Sequence, residues 1–455
     1  MNRETYTTRG GRNSMETKLE WIAEVARTRP TEKFTSLAHL INEKMLTTCH
    51  KQMDKNKAVG ADGVTKEQYE ENLEGNINDL IARLKRNAYK PQPVKRVHIP
   101  KPGTDKKRPL GLPAYEDKLV QASLAKILNA IYEQEFLDCS FGFRPQRSCH
   151  DALKVLNKIV NKPEINYIVD ADIRGFFDNV DQEWMMKFIK HRISDPNIQR
   201  LISRIMKAGV IESGISHETP GGVPQGGPIS PILANIYLHY VIDLWFEKRI
   251  RRQCKGLAYM VRYADDTVFC FQHKEEAEEF YQKLIERLKG FNLEIAEEKT
   301  KIITLGKDDN KDDDEGNQTA GSFDFLGFTH YLGSCLDGRK RVKRKTSKKK
   351  NQASLLRVKE WIRDNRHIPT KELMEKIVLK LQGHCNYYGV TDNSSSLSSY
   401  IYRVKQLLYK WLNRRSQKKS FNWSRFSLFL NKYPLPKAKI CVNIFQLGQG
   451  RNYCM

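Results

Sequence analysis

The strongest constraint in this chain is a pair of short apolar runs that each carry aspartates where a strand would bury its side chains. In Ala258–Phe271 the order is Ala-Tyr-Met-Val-Arg-Tyr-Ala-Asp-Asp-Thr-Val-Phe-Cys-Phe, two β-branched and aromatic segments on either side of Asp265-Asp266. That pattern predicts a hairpin with two carboxylates at its tip. Most Asp pairs in loops only hydrogen-bond their own turn. Here no Gly or Asn eases the turn, and adjacent carboxylates repel unless a cation lies near them. The second run surrounds Tyr167–Val169, where Ile165, Tyr167, Ile168 and Val169 lead into Asp170 and Asp172. Alternation along a strand puts those two carboxylates on one face. Taken alone, this run is equally well explained by an ion pair with Lys or Arg. Together, two strands that each present Asp suit a pair of magnesium ions roughly 3.5–4 Å apart, the clamp used for phosphoryl transfer. Such ions take one or two carboxylates and complete their shells on substrate phosphates.

Three motifs follow one another around these runs. They are Asp172-Ile173-Arg174-Gly175-Phe176-Phe177-Asp178, then Gly222-Val223-Pro224-Gln225-Gly226-Gly227-Pro228-Ile229-Ser230-Pro231-Ile232-Leu233-Ala234-Asn235, then Tyr263-Ala264-Asp265-Asp266. In this order they resemble the group II intron-encoded reverse transcriptase and maturase family, and the resemblance runs from about residue 35 to about residue 440. It implies an α+β chain with a right-hand polymerase fold: fingers and a palm with an antiparallel sheet, followed by an α-helical thumb or maturase domain. It further implies an RNA-directed DNA polymerase that uses two magnesium ions, with manganese able to substitute. Asp172, Asp265 and Asp266 would be the catalytic metal ligands, Asp265 the nearer of the hairpin pair, and the Ile173 carbonyl would complete a site.

Composition agrees with a polyanionic partner. Lys and Arg number 78 against 54 Asp and Glu, a formal net charge of +24, and so large a basic excess is the electrostatic footprint of nucleic-acid binding. The nine cysteines include no Cys-x-x-Cys pair, which argues against a zinc site or a disulfide framework and suits a reducing, cytoplasmic setting. No apolar run is long enough to span a membrane and the start is not signal-like. The chain divides into a polar tail (1–14), a fingers and palm region (15–335), a basic linker (336–350) and a helical, basic thumb or maturase region (351–455). Lys307–Asn317 is an acidic loop, better explained as an insertion than as a metal site.

Several further residues gain a role from the resemblance. Lys95–Pro102 and Lys106–Pro113 make two basic strands around a turn, a flap in which Lys101 and Arg108 match positions expected to contact the incoming triphosphate. A merely solvated hairpin is the competing reading. Phe177 matches the position that excludes a ribose 2′-hydroxyl, Gln225 the one expected to touch the incoming base or sugar. Lys299 matches a proton donor to the pyrophosphate leaving group. Asp178 is expected to cap the helix that follows. In Phe141–Ser148, Arg144 and Arg147 stand beside aromatics, a mixture that can stack on bases and pair with phosphates; bracing the palm is the alternative, and the family segment lies along the template. Phe323–Phe328 resembles the primer grip, with Phe325 and Gly327 at its centre, a plain core strand pair being the alternative. Leu381–Tyr388 resembles the thumb signature.

The expected partners are an RNA template with a DNA or RNA primer, deoxynucleoside triphosphates and group II intron RNA. The last residues contain no His/Cys cluster of an endonuclease, which points to the endonuclease-lacking bacterial branch. Two rivals come from other classes: an RNA-binding splicing cofactor without polymerase activity, and a host-adopted reverse transcriptase used in repair or phage defence. Neither the presence of a cognate intron nor a monomeric or dimeric state is written in the chain.

Overall fold

The computed structural model describes residues 15–100, 107–212, 215–217, 221–306, 321–335, 337–415 and 420–446. Three expectations lie outside that set: the 1–14 tail, the acidic loop and Lys101. Among the described residues the strands, in chain order, are β1 (Val94–Pro100), β2 (Lys107–Leu112), β3 (Tyr167–Ala171), β4 (Val210–Glu212), β5 (Ile215–His217), β6 (Ala258–Tyr263), β7 (Asp266–Phe271), β8 (Lys301–Thr304), β9 (Ser322–Phe325), β10 (Phe328–Ser334) and β11 (Lys340–Thr346). They make three sheets, ordered β2-β1-β4-β5, β6-β7-β3-β8 and β11-β10-β9.

The β6-β7-β3-β8 sheet is antiparallel throughout, and it organises the molecule. Its β-branched and aromatic residues alternate between two cores, as a two-sided buried sheet requires. Val169, Met260, Phe269 and Phe271 face a large core shared with the helices Tyr115–Tyr132, Ser230–Leu238 and Lys274–Lys289. Ile168, Val261, Val268 and Cys270 face a second core, closed by the helix Cys149–Val160 and by the β9–β11 sheet. By the same alternation Asp170, Asp172 and Asp266 belong to this second face. The Ser230–Leu238 helix runs on to Ile250 through two π-helical turns, His239–Asp243 and Phe246–Ile250. Such widened turns are rare and often sit near functional sites.

The basic hairpin forms as expected, with Ile99 opposite Arg108. It is no free-standing flap, because the base of β1 also pairs in parallel with β4 through Val94 and Val210.

The expected basic linker is a correction. Residues 340–346 form β11, paired along its whole length with β10, and a helix begins at Lys348. The run looks uniformly cationic, yet Val342, Arg344 and Thr346 point inward and Lys340 and Lys345 outward. Alternation with an arginine on the buried side hid the strand. Beyond it the helices Lys348–Asn365, Thr370–Tyr388, Ser394–Leu412 and Trp423–Lys432 enclose a third core built on Ile362, Leu373, Ile377, Val404, Leu408 and Phe426. Among the described residues no helix is long and apolar enough to cross a membrane, and the cysteines are free thiols.

Candidate active site

The β6–β7 hairpin closes with Tyr263 opposite Asp266, leaving Ala264-Asp265 as a two-residue turn. Ala264 takes a left-handed φ of 58°, a conformation that favours glycine and is held here by its surroundings. On the neighbouring strand the β3–β7 register ends with Ala171 opposite Thr267. Asp172 follows the last residue of β3 and Asp266 precedes the last β7 residue paired with it, so the two come to the same end of the sheet, with Asp170 on the same face two residues back, between Val268 of β7 and Lys301 of β8. Asp265 stands in the turn above them. The expected carboxylates therefore meet at one end of the central sheet.

Their electrostatics follow from crowding. Burial, then the charges of Asp170 and Asp265, push the Asp266 carboxyl up to about 7. Burial and the neighbouring Asp172 and Asp324 push Asp170 up to about 7 as well. Burial also raises Asp265, opposed by the positive charges of Arg108 and Arg262. The Lys299 ammonium pairs directly with the half-exposed Asp172 carboxylate. Among the described residues no three ligands close on a single point. A hard-oxygen set of self-repelling, partly buried carboxylates, open on one side, fits a divalent cation that shares its ligands with phosphate. The Ile173 side chain is buried, and its backbone bridges Ile295.

Beneath the turn lies a charge that sequence reasoning missed. Arg262 and Asp243 are both fully buried and paired at 2.6 Å. The guanidinium also donates to the Ala264 carbonyl at 2.9 Å, the Ser140 hydroxyl at 2.7 Å and the Asn235 side-chain oxygen at 3.2 Å. Asn235 in turn donates to the Gly142 carbonyl at 2.8 Å. A Cβ placed on Gly142 would lie 2.3 Å from the Ala264 nitrogen, so only glycine lets this loop press against the strained turn. An arginine inside an otherwise apolar strand was the available signal.

Of the two readings of Arg144 and Arg147, template contact and bracing, the same loop shows the bracing contacts. Arg144 is buried, paired with Glu133 at 2.8 Å, and donates to the Leu137 and Ser140 carbonyls at 2.6 and 2.8 Å. Arg147 pairs with Asp138 at 2.6 Å. The Arg144 donors and both terminal nitrogens of Arg147 are engaged in bracing the loop. Its large side chain facing solvent is Phe143, 54% exposed.

Arg108 stands on the hairpin near enough to Asp265 for its positive charge to oppose the upward shift that burial causes. Phe177 is half-buried beside Phe176, ring centroids 5.2 Å apart, and its carbonyl accepts the Val223 amide at 2.8 Å. Gly222 has a φ of 82°, and a Cβ there would meet the Asp178 and Phe177 carbonyls below 3.0 Å. The glycine-rich loop is thus seated on the Phe177–Asp178 backbone. Gln225 is half-buried, and its carbonyl accepts the Gly111 amide at 2.6 Å, tying this loop to β2. The cap of the following helix is Asp181, which accepts the Trp184 amide at 2.8 Å, and not Asp178. The β9–β10 hairpin turns through Leu326 and Gly327, with φ of 49° and 80°. Phe325 is buried in the second core, and the Leu326 amide lies close enough to the Asp266 carboxyl to oppose its upward shift.

An antiparallel sheet carrying aspartates at the end of one strand and in an adjoining hairpin, overhung by a basic hairpin, defines the palm of a nucleotide-polymerising enzyme. Comparison with known proteins agrees. Residues 99–330 match the family described as reverse transcriptase (RNA-dependent DNA polymerase), and 351–429 match the group II intron maturase-specific domain. The chain belongs to the group II intron-encoded reverse transcriptase/maturase family and has the right-hand fold of that class. It is 39% identical over 222 residues to the group II intron-encoded protein LtrA of Lactococcus lactis subsp. cremoris, a match covering 49% of this chain and 37% of that protein. It is 32% identical over 316 residues to protein YkfC of Escherichia coli (strain K12), covering 63% of this chain and 77% of that one.

Proposed function

We propose that this chain is an RNA-directed DNA polymerase that copies RNA into cDNA with magnesium ions, and that its helical C-terminal region binds group II intron RNA to assist splicing and retrohoming. The observation that carries the polymerase reading is the strand register that ends β3 at Ala171 opposite Thr267, so that Asp172 and Asp266 come to one end of the sheet with Asp265 in the turn between β6 and β7. Bound there, divalent ions supply Lewis-acid activation of the primer 3′-hydroxyl and neutralise charge on the triphosphate. Asp172, Asp265 and Asp266 would hold them. Arg108, together with Lys101 seven residues earlier in the chain, orients the triphosphate, which makes attack effectively intramolecular. Lys299 begins on Asp172. Displaced from that carboxylate, it is within the site to protonate the departing pyrophosphate. Phe177 excludes a 2′-hydroxyl by bulk, and the Gln225 loop lies under the incoming nucleotide. Phe325 and Gly327 belong to the hairpin that steadies the primer end. The formal charge of +24 supports a long nucleic-acid track.

The test is primer extension on an RNA template with deoxynucleotides and magnesium, comparing wild type with Asp265→Ala. Extension that vanishes in the variant is expected. A wild type that binds template–primer but adds nothing would sink the polymerase reading and leave the splicing-cofactor role in front. Unchanged extension by the variant would mean that other carboxylates do the work.

A further inference from the structure

The last turn of the helix Thr370–Tyr388 lies inside the maturase-specific match, yet it reaches the catalytic end of the palm. The Tyr387 hydroxyl donates to the Leu326 carbonyl at 2.9 Å. Leu326 sits in the left-handed β9–β10 turn, and its own amide faces the Asp266 carboxyl. Leu326 is therefore held at its carbonyl by the thumb, while its amide, on the preceding peptide plane, lies by a catalytic carboxylate. The next residue, Gly327, passes so close to the thumb that an added Cβ would lie 3.0 Å from the Tyr388 hydroxyl.

Tyr387 is itself fixed from three sides. Its carbonyl receives the His150 Nε2 at 2.8 Å, from the helix under the palm sheet. Phe328 packs against both tyrosine rings, at centroid distances of 6.1 and 5.2 Å. The Tyr388 carbonyl accepts from Asn393, which also bonds Thr346 at the end of β11. One turn earlier, His384 stacks on Tyr400 at 3.6 Å and 4° within the thumb bundle. The Leu381–Tyr388 signature is thus an anchor: its first part locks the bundle and its last two residues lock the bundle to the catalytic hairpin.

We propose that Tyr387 is a positioning residue for the metal site, fixing the Leu326 backbone in the tight β9–β10 turn so that its amide holds the Asp266 carboxylate in the orientation that binds a divalent cation. The proposal rests on the polymerase reading only for the consequence of that binding. Residues behind a metal ligand set its orientation, and losing one in direct contact weakens metal affinity 10–100-fold. Tyr387 stands one bond further back, so Tyr387→Phe, which removes only the hydroxyl, is expected to raise the metal half-saturation roughly 3- to 10-fold.

The experiment titrates the full chain with Mn2+ by electron paramagnetic resonance and follows primer extension against Mg2+ concentration in parallel. Asp266→Asn defines which part of the Mn2+ signal belongs to the site. Ser354→Ala is the control for a loosened thumb, because Ser354 bonds Tyr400 at 2.8 Å inside the bundle and does not touch the hairpin. In Tyr387→Phe the Asp266-dependent Mn2+ half-saturation and the Mg2+ requirement should rise together, with template–primer affinity within twofold of wild type. Unchanged Mn2+ binding in Tyr387→Phe overturns the proposal, and so does an equal shift in Ser354→Ala. A wild type that binds Mn2+ through Asp266 but extends no primer overturns the polymerase reading and leaves the Tyr387 comparison intact. Absence of any Asp266-dependent Mn2+ binding overturns both.

Discussion

Replacing Arg262 with Met should separate what holds the catalytic turn from what performs the chemistry. The guanidinium is fully buried and bonds five oxygens: both of Asp243, and one each from Asn235, Ala264 and Ser140. Met fills a similar volume but leaves the Asp243 carboxylate buried without its counter-ion, since His239 lies 3.9 Å away and burial pushes its imidazole down to about 4. Breaking one side of a buried pair costs about 3–5 kcal/mol. At roughly 2–4 °C per kcal/mol for a cooperative unit of 150–250 residues, the melting temperature should fall by about 6–20 °C. The second variant, Arg262→Met with Asp243→Leu, removes the stranded charge as well. It should recover most of the lost stability, because buried pairs are often replaceable by apolar residues. It should not recover primer extension, because the Ala264 carbonyl still lacks the donor that holds the strained turn. Melting by differential scanning fluorimetry and single-turnover extension read the two effects separately. A double variant as unstable as the single one would refute the charge argument. A double variant with wild-type extension would refute the claim that Arg262 holds the turn.

Four shorter predictions follow from the same geometry. Phe177→Ala should raise incorporation of ribonucleotides relative to deoxynucleotides, seen as ribonucleotide extension products on gels, and an unaltered ratio would remove Phe177 from sugar selection. Arg108→Ala should raise the KM for deoxynucleotides about tenfold or more, the scale of a charge-assisted bond to phosphate, with template–primer affinity retained. Arg144→Ala should destabilise by about 3–5 kcal/mol in urea unfolding, because it strands Glu133 and several carbonyls, without a selective loss of template affinity. His330 is fully buried, stacked on Phe323 at 4.9 Å, and burial together with nearby Arg344 depresses its imidazole to about 3. The folded protein therefore keeps His330 neutral while the unfolded chain takes up a proton near 6.5. Stability is fully present above that pH and is lost progressively towards 3. His330→Phe should flatten this acid-side decline in melting temperature, and an unchanged pH profile would show that His330 does not drive it.

Periodicity and motif order made the palm legible. Strand alternation put Asp170 and Asp172 on one face, and the motif order matched that run to the Asp265-Asp266 hairpin. What sequence reasoning missed had a common physical cause: buried cations. Arg144, Arg262 and Arg344 are all internal. A long guanidinium side chain in a basic protein looks like a phosphate ligand until its carboxylate and carbonyl partners are known. Those partners are distant in sequence, as with Arg262 and Asp243 across a π-helical turn, so no local pattern announces them. The Asp178 and Asp181 helix caps differ for a smaller reason. Both precede the same helix, and only backbone geometry decides which carboxylate meets the free amides.

The β11 strand has a consequence for how the molecule can be divided. The reverse transcriptase match ends at 330 and the maturase match begins at 351, so the interval resembles a spacer at which a gene might be cut or fused. In the fold, that interval completes β10 and supplies all of β11. A catalytic fragment ending at 330 would expose β9 and the stump of β10 as an open sheet edge, with the apolar second core uncovered behind it. The two halves are consecutive in the gene but share one folding unit at their junction. Recombination that exchanges maturase regions between relatives should succeed when crossovers fall before β9 or after Ser347, and yield insoluble chains when they fall between.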